Sequence, residues 1–361
     1  MKRFFLLIFS FLAVLSCKID MASLEEPLKD GNIYDINRKV VSQQFDIDRK
    51  GNAYYAEIRE PGRWMVTVFR IAKDSLNRDG ETEGRGEEMN LGYAGHPTGM
   101  AVENAKDGPH VWISSYSSRI SNGSYWDTQT ISRVRYTPGK TFLPEDPQLE
   151  HFWLPHRGSI NVALDEKNDQ VAFSFYRIPE DSEGIPPGRS RRVRIYRLSE
   201  ALALPEEEIT LPDPWIRGGE GEPYPDDSLS VTIRARNLTR LTPVAEIGTH
   251  TGGDNPEKIN STAWQGFDID RGRVWFSEGG GHTGTYVTAY DYTGEVVFHR
   301  TLAAVSVECE AWERYRLTDT EKHCMENEGI RVWNGSLCLG FFSVRSDTGS
   351  RSGILRYPLP D

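Results

Sequence analysis

The sequence predicts an all-β protein folded as a five-bladed β-propeller. Three features lead to this prediction: a hexapeptide that occurs twice, many short apolar and aromatic strands between glycine-containing turns, and a recurring spacing between those strands. Gln43 to Asp48 read QQFDID, and Gln265 to Asp270 read QGFDID. Repetition at such a period is typical of repeat architectures, and repeats of four short strands are typical of propeller blades.

Each repeat is predicted to form one blade of four antiparallel strands. The first strands end at positions spaced by 55, 62, 105 and 63 residues, namely Asp48, Glu103, Asp165, Asp270 and Trp333. Residues 207–212 are a possible fourth strand of the third blade. The last repeat stops one strand short, so we expect a strand within residues 32–41 to complete it. This closure would remove the open sheet edges of the ring.

The long third spacing leaves two interpretations open. Residues 213–259 either form an insertion in the third blade, or they hold a sixth, degenerate blade. Residues 213–230 are rich in Gly, Pro and acidic residues, as in a loop, whereas residues 230–248 could hold two strands. We favour an insertion at about 213–259 within a single propeller domain that spans residues 31–361.

The first 17 residues have the features of a signal peptide. Lys2 and Arg3 precede an apolar run from Phe4 to Leu15, which is too short to span a bilayer. The end of this segment resembles a bacterial lipobox, in which Cys17 would be lipidated; the alternative is cleavage nearby to give a free protein. In either case we expect a secreted or extracytoplasmic protein without a transmembrane segment.

Composition narrows the range of partners. The 361 residues are 38% hydrophobic and 11% aromatic, which is typical of a globular chain. The formal net charge of -11 argues against sequence-independent binding of nucleic acid, which needs a basic surface. We expect a monomer whose ligand is a glycan or a small molecule.

Two kinds of covalent modification are predicted. An oxidising compartment favours a disulfide between Cys309 and Cys324 with Cys338 left buried, and three unpaired thiols are the alternative. Four Asn-X-Ser/Thr sequons would be glycosylated if the host is eukaryotic. They begin at Asn122, Asn237, Asn260 and Asn334.

The order of several phrases resembles a known family over residues 41–357. These phrases include QQFDID with GNAYYAEI, GHPTGMAVE with HVWISSY, WQGFDID, and ENEGIRVWNGSLCLGF. Together they resemble the β-propeller domain shared by teichoic acid biosynthesis protein C and the receptor-binding protein of a staphylococcal podovirus. The resemblance implies a five-bladed propeller. The phage member implies adhesion to a cell-wall polymer such as wall teichoic acid, and the bacterial member implies an envelope-polymer pathway.

The chain departs from the family pattern at three places. It reads HPTGM where a glycine-rich HG phrase is usual, and ENEGI where EPEGL is usual. It also carries the extra segment 213–259. These departures leave the implied fold intact but put the identity of the ligand in doubt.

Polar residues just before each first strand are the candidate ligand-binding site, because they should meet at one mouth of the propeller channel. Amides and carboxylates bond hydroxyl groups, a guanidinium pairs with phosphate, and an indole stacks on a sugar face. The sequence therefore predicts binding of a cell-envelope glycan or polyol-phosphate polymer; alternatively, these groups satisfy buried backbone at blade junctions. The candidates are Gln44, His96, Thr98, His156, Arg157, Trp264, Gln265, Glu326 and Glu328.

An enzyme that uses the same mouth is the alternative function. His96 or His156 would act as general base and Glu328 as acid or partner, in a hydrolase, lyase or isomerase. The chain has no Gly-x-Ser-x-Gly elbow and no HExxH motif. No cofactor is predicted, although the two histidines with Glu326 and Glu328 could hold a divalent metal in the channel. His282, in a glycine-rich turn, is a further candidate for ligand contact.

Overall fold

The computed structural model describes residues 34–37, 42–59, 65–73, 87–119, 125–176, 191–212, 230–248, 264–279, 285–301, 325–343 and 351–359. The described strands form five separate sheets, and each sheet is one blade. The strands are numbered here in chain order.

Every blade contains an antiparallel meander, whose first strand is the innermost. The first blade holds β2 (Ser42–Ile47), β3 (Ala53–Arg59), β4 (Met65–Ile71) and β5 (Glu87–Leu91), with the short parallel strand β9 (Thr141–Phe142) at its edge. The second holds β6 (Met100–Ala105), β7 (Gly108–Arg119), β8 (Tyr125–Arg135) and β10 (Glu150–Trp153), extended by β15 (Ser230–Asn237) and β14 (Glu206–Pro212).

The remaining three blades have four strands each. The third holds β11 (Arg157–Asp165), β12 (Gln170–Tyr176), β13 (Arg191–Arg197) and β16 (Ala245–Gly248). The fourth holds β17 (Trp264–Asp270), β18 (Arg273–Glu278), β19 (Tyr286–Asp291) and β20 (Val296–Thr301). The fifth holds β21 (Met325–Trp333), β22 (Ser336–Ser343), β23 (Arg351–Pro358) and β1 (Tyr34–Asn37).

The inner strands contact one another around a closed ring. In order these strands are β2, β6, β11, β17 and β21, and β21 contacts β2 again. β1 pairs antiparallel with β23, from Tyr34 opposite Ile354 to Asn37 opposite Arg351. The prediction of a five-bladed propeller whose last blade is completed by an N-terminal strand is confirmed, and the six-bladed alternative is wrong.

The assignment of residues 207–212 to the third blade is wrong. β14 pairs instead with β15, and β15 runs parallel to β10, so this hairpin widens the second blade. The fourth strand of the third blade is β16, in which Ala245 pairs with Ile195 of β13. The described part of the region 213–259, residues 230–248, therefore adds β15 to the second blade and β16 to the third.

The acidic residues that end the inner strands stabilise the turns that follow. Asp48 Oδ1 accepts hydrogen bonds from the backbone N–H groups of Lys50 and Asn52, at 2.8 and 2.9 Å. Gly51, between them, has φ +86°, a conformation that glycine adopts without strain. Asp165 accepts in the same way from Asn168 N, at 3.3 Å. The last residue of the FDID phrase thus acts as a turn residue.

The hydrophobic core lies between neighbouring blades. Val193 and Ile247 of the third blade pack in one cluster with Phe267 and Phe276 of the fourth. Burial of the two faces of each sheet explains why the strands are nearly continuous apolar and aromatic runs. A single short α-helix, α1 (Leu198–Ala203), occurs among the described residues. Within that same part of the chain, no helix is long and apolar enough to cross a membrane.

Candidate functional site

The repeated FDID phrase places one aspartate of each copy against the next blade. Asp46 of β2 and Asp268 of β17 are both buried. Asp46 Oδ2 accepts a hydrogen bond from Val102 N in β6 at 2.5 Å, and Asp268 Oδ2 accepts one from Val332 N in β21 at 2.6 Å. Each copy of the phrase therefore ties its own inner strand to the inner strand of the following blade.

Arg331 occupies the position in β21 that Asp46 and Asp268 occupy in their own strands. Its Nη1 lies 2.7 Å from Asp268 Oδ1 and 3.2 Å from the carbonyl oxygen of Leu164, and its Nε lies 2.9 Å from Asp46 Oδ1. One guanidinium thus contacts the inner strands of the first, third and fourth blades from the fifth. We infer that this cluster separates the channel into a strand-start mouth, where the inner strands begin, and a strand-end mouth, where they end.

Two carboxylates share the single cation of this cluster. Burial raises the pKa of Asp268 to about 7, since desolvation outweighs the attraction of Arg331, and Asp46 adds to the increase. Burial also raises the pKa of Asp46, although Arg331 opposes this. We conclude that the three groups carry close to zero net charge near neutral pH, because one of the two carboxylates keeps a proton much of the time.

Four of the five inner strands carry a bulge at the strand-start mouth. A bulge leaves one residue unpaired and redirects its side chain, and bulges are frequent beside binding sites. At this mouth the sequence also places the candidate ligand-binding residues. The register shifts lie between Ser42 and Gln44, Arg157 and Asn161, Trp264 and Gly266, and Asn327 and Gly329.

Glycines bring the inner strands close together at the level of these bulges. A Cβ on Gly266 would lie 2.7 Å from the backbone carbonyl carbon of Gly329, and a Cβ on Gly329 would lie 2.7 Å from Cδ1 of Phe45. Across this narrow part, Gln44 Nε2 of the first blade donates to the carbonyl oxygen of Gln265 in the fourth, at 2.9 Å. The structure therefore brings together these two predicted site residues.

Thr98 and His156 form a second group at the strand-start mouth. Thr98 Oγ1 lies 3.3 Å from Thr128 Oγ1. His156 Nε2 lies 2.8 Å from the Thr128 carbonyl oxygen, and its Nδ1 lies 2.6 Å from that of Leu154. Both ring nitrogens thus face acceptors, so in this geometry neither is placed to take a proton from a substrate.

The two candidate histidine bases are both half-buried. Burial lowers the pKa of His96 to about 4, and it lowers that of His156 as well. The backbone N–H of His96 donates to Ser117 Oγ at 2.9 Å. A general base works best with a pKa near the operating pH, so the surroundings of both residues give little support to the catalytic role predicted for them.

Trp264 lies beside a buried cation that the sequence did not reveal. The guanidinium carbon of Arg191 is 4.7 Å from the centroid of the Trp264 ring, and Arg191 is only 4% exposed. Arg191 Nη1 donates to Ser174 Oγ at 3.2 Å. The amide of Asn161, oriented to suit its neighbours, accepts from Arg191 Nη1 at 2.7 Å and donates to the Thr98 carbonyl oxygen at 2.8 Å. This network links the second, third and fourth blades.

Two buried glutamates adjoin the same mouth. Glu57 pairs with Ser42 across β2 and β3, and Glu278 pairs with Trp264 across β17 and β18, so the two occupy equivalent places in the first and fourth blades. They are 0% and 1% exposed. The duplication of FDID extends to these residues, as GNAYYAE and GRVWFSE, and this signal could have identified them. No group of three or more metal-binding side chains converges within the described ranges.

Several predicted residues lie outside what the structure describes. The backbones of Arg157 and Glu326 belong to β11 and β21, but their side chains are not described. Glu328 is described and is 8% exposed. Fully outside the described residues are Cys17, Asn122, Asn260, His282, Cys309 and Cys324.

The two described sequon asparagines differ in their surroundings. Asn237 is 8% exposed, and its side-chain oxygen accepts from Thr239 N at 3.1 Å while its Nδ2 donates to Glu207. Asn334 is exposed, in a turn with φ +48°. Cys338 is buried as a free thiol.

The comparisons with known proteins reveal a likeness of fold. No family model matches the chain, and no curated protein sequence matches it. Among solved structures, it is similar to the tail fiber of Staphylococcus aureus phage P68, with a TM-score of 0.53 and 12% identity over 92% of this chain. The chain spans about half of that protein, 54% of its length.

Two further solved structures are more distant. One is a GH43_1 enzyme from Xanthomonas citri, complexed with xylose, with a TM-score of 0.42 and 10% identity. The match covers 90% of this chain and 88% of the enzyme's chain. The other is the polysaccharide lyase Uly1, with a TM-score of 0.34 and 8% identity. The match covers 88% of this chain and 90% of the lyase's chain.

Proposed function

We propose that the protein is an exported β-propeller that binds a cell-envelope glycan or polyol-phosphate polymer at its strand-start mouth. The observation that carries the proposal is the half-buried indole of Trp264 beside the buried guanidinium of Arg191, 4.7 Å away. An aromatic ring packs on the apolar face of a sugar, and a cation beside that ring favours a ligand that also carries phosphate. Export rests on the signal sequence of residues 1–17.

The surroundings of Trp264 add the polar groups that such a ligand needs. The next residue, Gln265, is linked to Gln44 across the fifth blade at 2.9 Å. Thr98 and Asn161 continue the polar surface towards the second and third blades. Hydroxyls and amides on a framework of inner strands are suited to hold a polyhydroxylated chain in one orientation.

Retention of purified polymers on the immobilised protein tests the proposal. Trp264→Ala should weaken retention of wall teichoic acid or another envelope glycan by at least about tenfold, whereas Trp264→Phe should keep much of it. Trp153→Ala is the matched control, because Trp153 is also half-buried and packs against a hydrophobic cluster, as Trp264 does, but it lies in β10 and not in an inner strand. Equal retention by the Trp264→Ala variant and the unchanged protein would contradict the proposal.

The second candidate function is an enzyme at the same mouth, and two buried glutamates, Glu57 and Glu278, at equivalent positions of the first and fourth blades, favour it. Paired carboxylates carry general acid and base catalysis in glycan cleavage. Glu57→Gln and Glu278→Gln would then abolish release of reducing ends from the retained polymer while retention persists. If neither the unchanged protein nor the variants release product, the binding function stands alone.

A further inference from the structure

A cavity of about 170 Å³ opens at the strand-end mouth, opposite the site proposed above. All five blades contribute to its lining. Apolar side chains from four inner strands surround its inner part, namely Ile47, Leu164, Ile269 and Val332. Charged and polar residues from the strand ends and the following turns form the rest, among them Arg49, Lys167, Asp270, Arg331 and Asn334. Its volume lies below the range typical of drug-sized ligands, so its occupant is small.

Two carboxylates that line this mouth, Asp165 and Glu166, are already bonded to the protein. Glu166 Oε1 accepts from Asn104 N and Nδ2, at 2.9 and 2.7 Å, and its Oε2 pairs with Arg49 at 3.0 Å. Asp165 Oδ2 accepts from Asn168 Nδ2 at 2.6 Å and from Arg271 N at 3.2 Å. These acids hold the turns in place, and their oxygens are not the main groups offered to a ligand.

The cationic hydrogen-bond donors that line the cavity have fewer partners within the protein. Lys167 is exposed, and with the rest of the described chain it forms neither an ion pair nor a hydrogen bond. Arg331 Nη1 donates to Asp268 and to the Leu164 carbonyl oxygen, and Nε lies at ion-pair distance from Asp46 without a hydrogen bond. Nη2 forms neither a hydrogen bond nor an ion pair with the described residues. The cavity therefore offers a guanidinium edge at its base and an ammonium group at its rim, which together suit a compact anion.

We propose that the strand-end mouth is a second binding site, which takes one small anionic polyol unit. Lys167 and Arg331 recognise its phosphate or carboxylate, and Asn334 bonds its hydroxyl groups at the rim. Asp270, whose Oδ2 is paired with Arg271 Nε at 2.6 Å, offers its other carboxylate oxygen to the same hydroxyl groups. Asp46 and Asp268 offset much of the charge of Arg331, so we expect weak, salt-sensitive binding with a Kd on the order of 1 mM. The site is independent of the strand-start mouth, because the arginine cluster lies between the two.

Titration by NMR or calorimetry with four probes tests this site: glycerol 3-phosphate, glucuronate, glucose and inorganic phosphate. Glycerol 3-phosphate and glucuronate should both bind, and they distinguish a phosphate from a carboxylate source of the anion. Lys167→Ala should lower the affinity for both anions by about threefold to tenfold, because the variant lacks one charge-assisted hydrogen bond to the ligand. Lys106→Ala is the matched control, since Lys106 is equally exposed in the turn after β6 but does not line the cavity.

Three results would overturn the proposal. The first is equal affinity of the Lys167→Ala and Lys106→Ala variants for both anionic polyols. The second is glucose or inorganic phosphate binding as tightly as glycerol 3-phosphate, which would show that only one half of the ligand is recognised. The third is no binding of any probe at about ten times the expected Kd. Trp264→Ala should leave all four titrations unchanged, so failure here is distinguishable from failure of the polymer-binding proposal.

Discussion

The guanidinium of Arg331, on the inner strand of the blade that closes the ring, lies 2.7 Å from the carboxylate of Asp268 in the preceding blade. Asp46, from the opposite side of the fifth blade, contacts the same guanidinium at 2.9 Å. The repeated phrase therefore contributes the two anions, and the fifth blade contributes the cation at the same position of its own strand. These two ion pairs join the first, fourth and fifth blades at the point where the first and last blades meet.

Replacing Arg331 should destabilise the fold strongly. Arg331→Met leaves two buried carboxylates without their cation, and breaking a buried pair by removing one partner typically costs about 3–5 kcal/mol. The free energy of unfolding from urea denaturation measures this. Arg135→Met, at an exposed arginine of β8, should change it by less than about 0.5 kcal/mol. A loss below about 1 kcal/mol for Arg331→Met would show that the cluster does not hold the ring together.

Asp268 should make the protein less stable as the pH rises towards neutrality. Its pKa is about 7 in the folded state and about 4 when unfolded, so between these values the folded state binds more protons than the unfolded state. The contribution of Asp268 to stability is thus fully present below pH 4 and decreases as the pH rises to 7. Asp46, whose pKa is also raised by burial, acts in the same direction.

Two histidines have the opposite effect on stability over part of that range. Burial lowers the pKa of His96 and of His151 to about 4, so both destabilise the protein as the pH falls below about 6.5. The difference between the unchanged protein and Asp268→Asn isolates the aspartate. Unfolding free energies from pH 4 to 8 should show this difference decreasing with pH. A difference that does not vary with pH would contradict the raised pKa.

A ladder of charges attaches the extra hairpin to the second blade. Arg133 pairs with Glu103 at 2.7 Å and also with Glu150, and Glu150 pairs with Arg236 of β15 at 2.7 Å. Glu150→Gln leaves two mostly buried guanidiniums without the anion between them, so we expect a loss of about 1–3 kcal/mol. Glu208→Gln, at an exposed position of β14, is the control and should be near neutral. Equal unfolding free energies for the two variants would mean that this ladder of ion pairs does not stabilise the fold.

The repeat period was sufficient to predict the blades, because each blade uses the same local chemistry. Phe45, Asp48 and their counterparts Phe267 and Asp270 supply an inner apolar residue and a strand-ending acid in both copies. The incomplete last repeat likewise predicted closure by a strand near the N-terminus. These signals are local or periodic, and a single sequence displays both.

The partners of β14 and the role of Arg331 were not predictable in the same way. Residues 206–212 have the pattern of an edge strand, which fits any open sheet edge; pairing with β15 and the charge of Glu150 and Arg236 select the second blade. In the sequence, Arg331 aligns with two aspartates and is a departure from the repeat. Its role comes from contacts across the channel, which a single sequence does not display. Arg191 was not predicted as a site residue because it begins the third strand of its blade. The sequence argument placed at the mouth only the residues that precede the first strand of each blade.

The close approach of the inner strands should make Gly266 intolerant of any side chain. A Cβ at this position would lie 2.6 Å from Ile330 N and 2.5 Å from Ser277 Oγ, and the backbone nitrogen cannot move without shifting β21. Gly266→Ala should therefore cost about 1–3 kcal/mol, the usual cost of overpacking, and disturb the bulge between Trp264 and Gly266. Gly248→Ala is the matched control, because the nearest atom to its Cβ is 3.8 Å away. Unfolding free energy and polymer retention should both fall for Gly266→Ala and stay unchanged for Gly248→Ala. If the two variants are equally stable, the inner strands are not held at this distance.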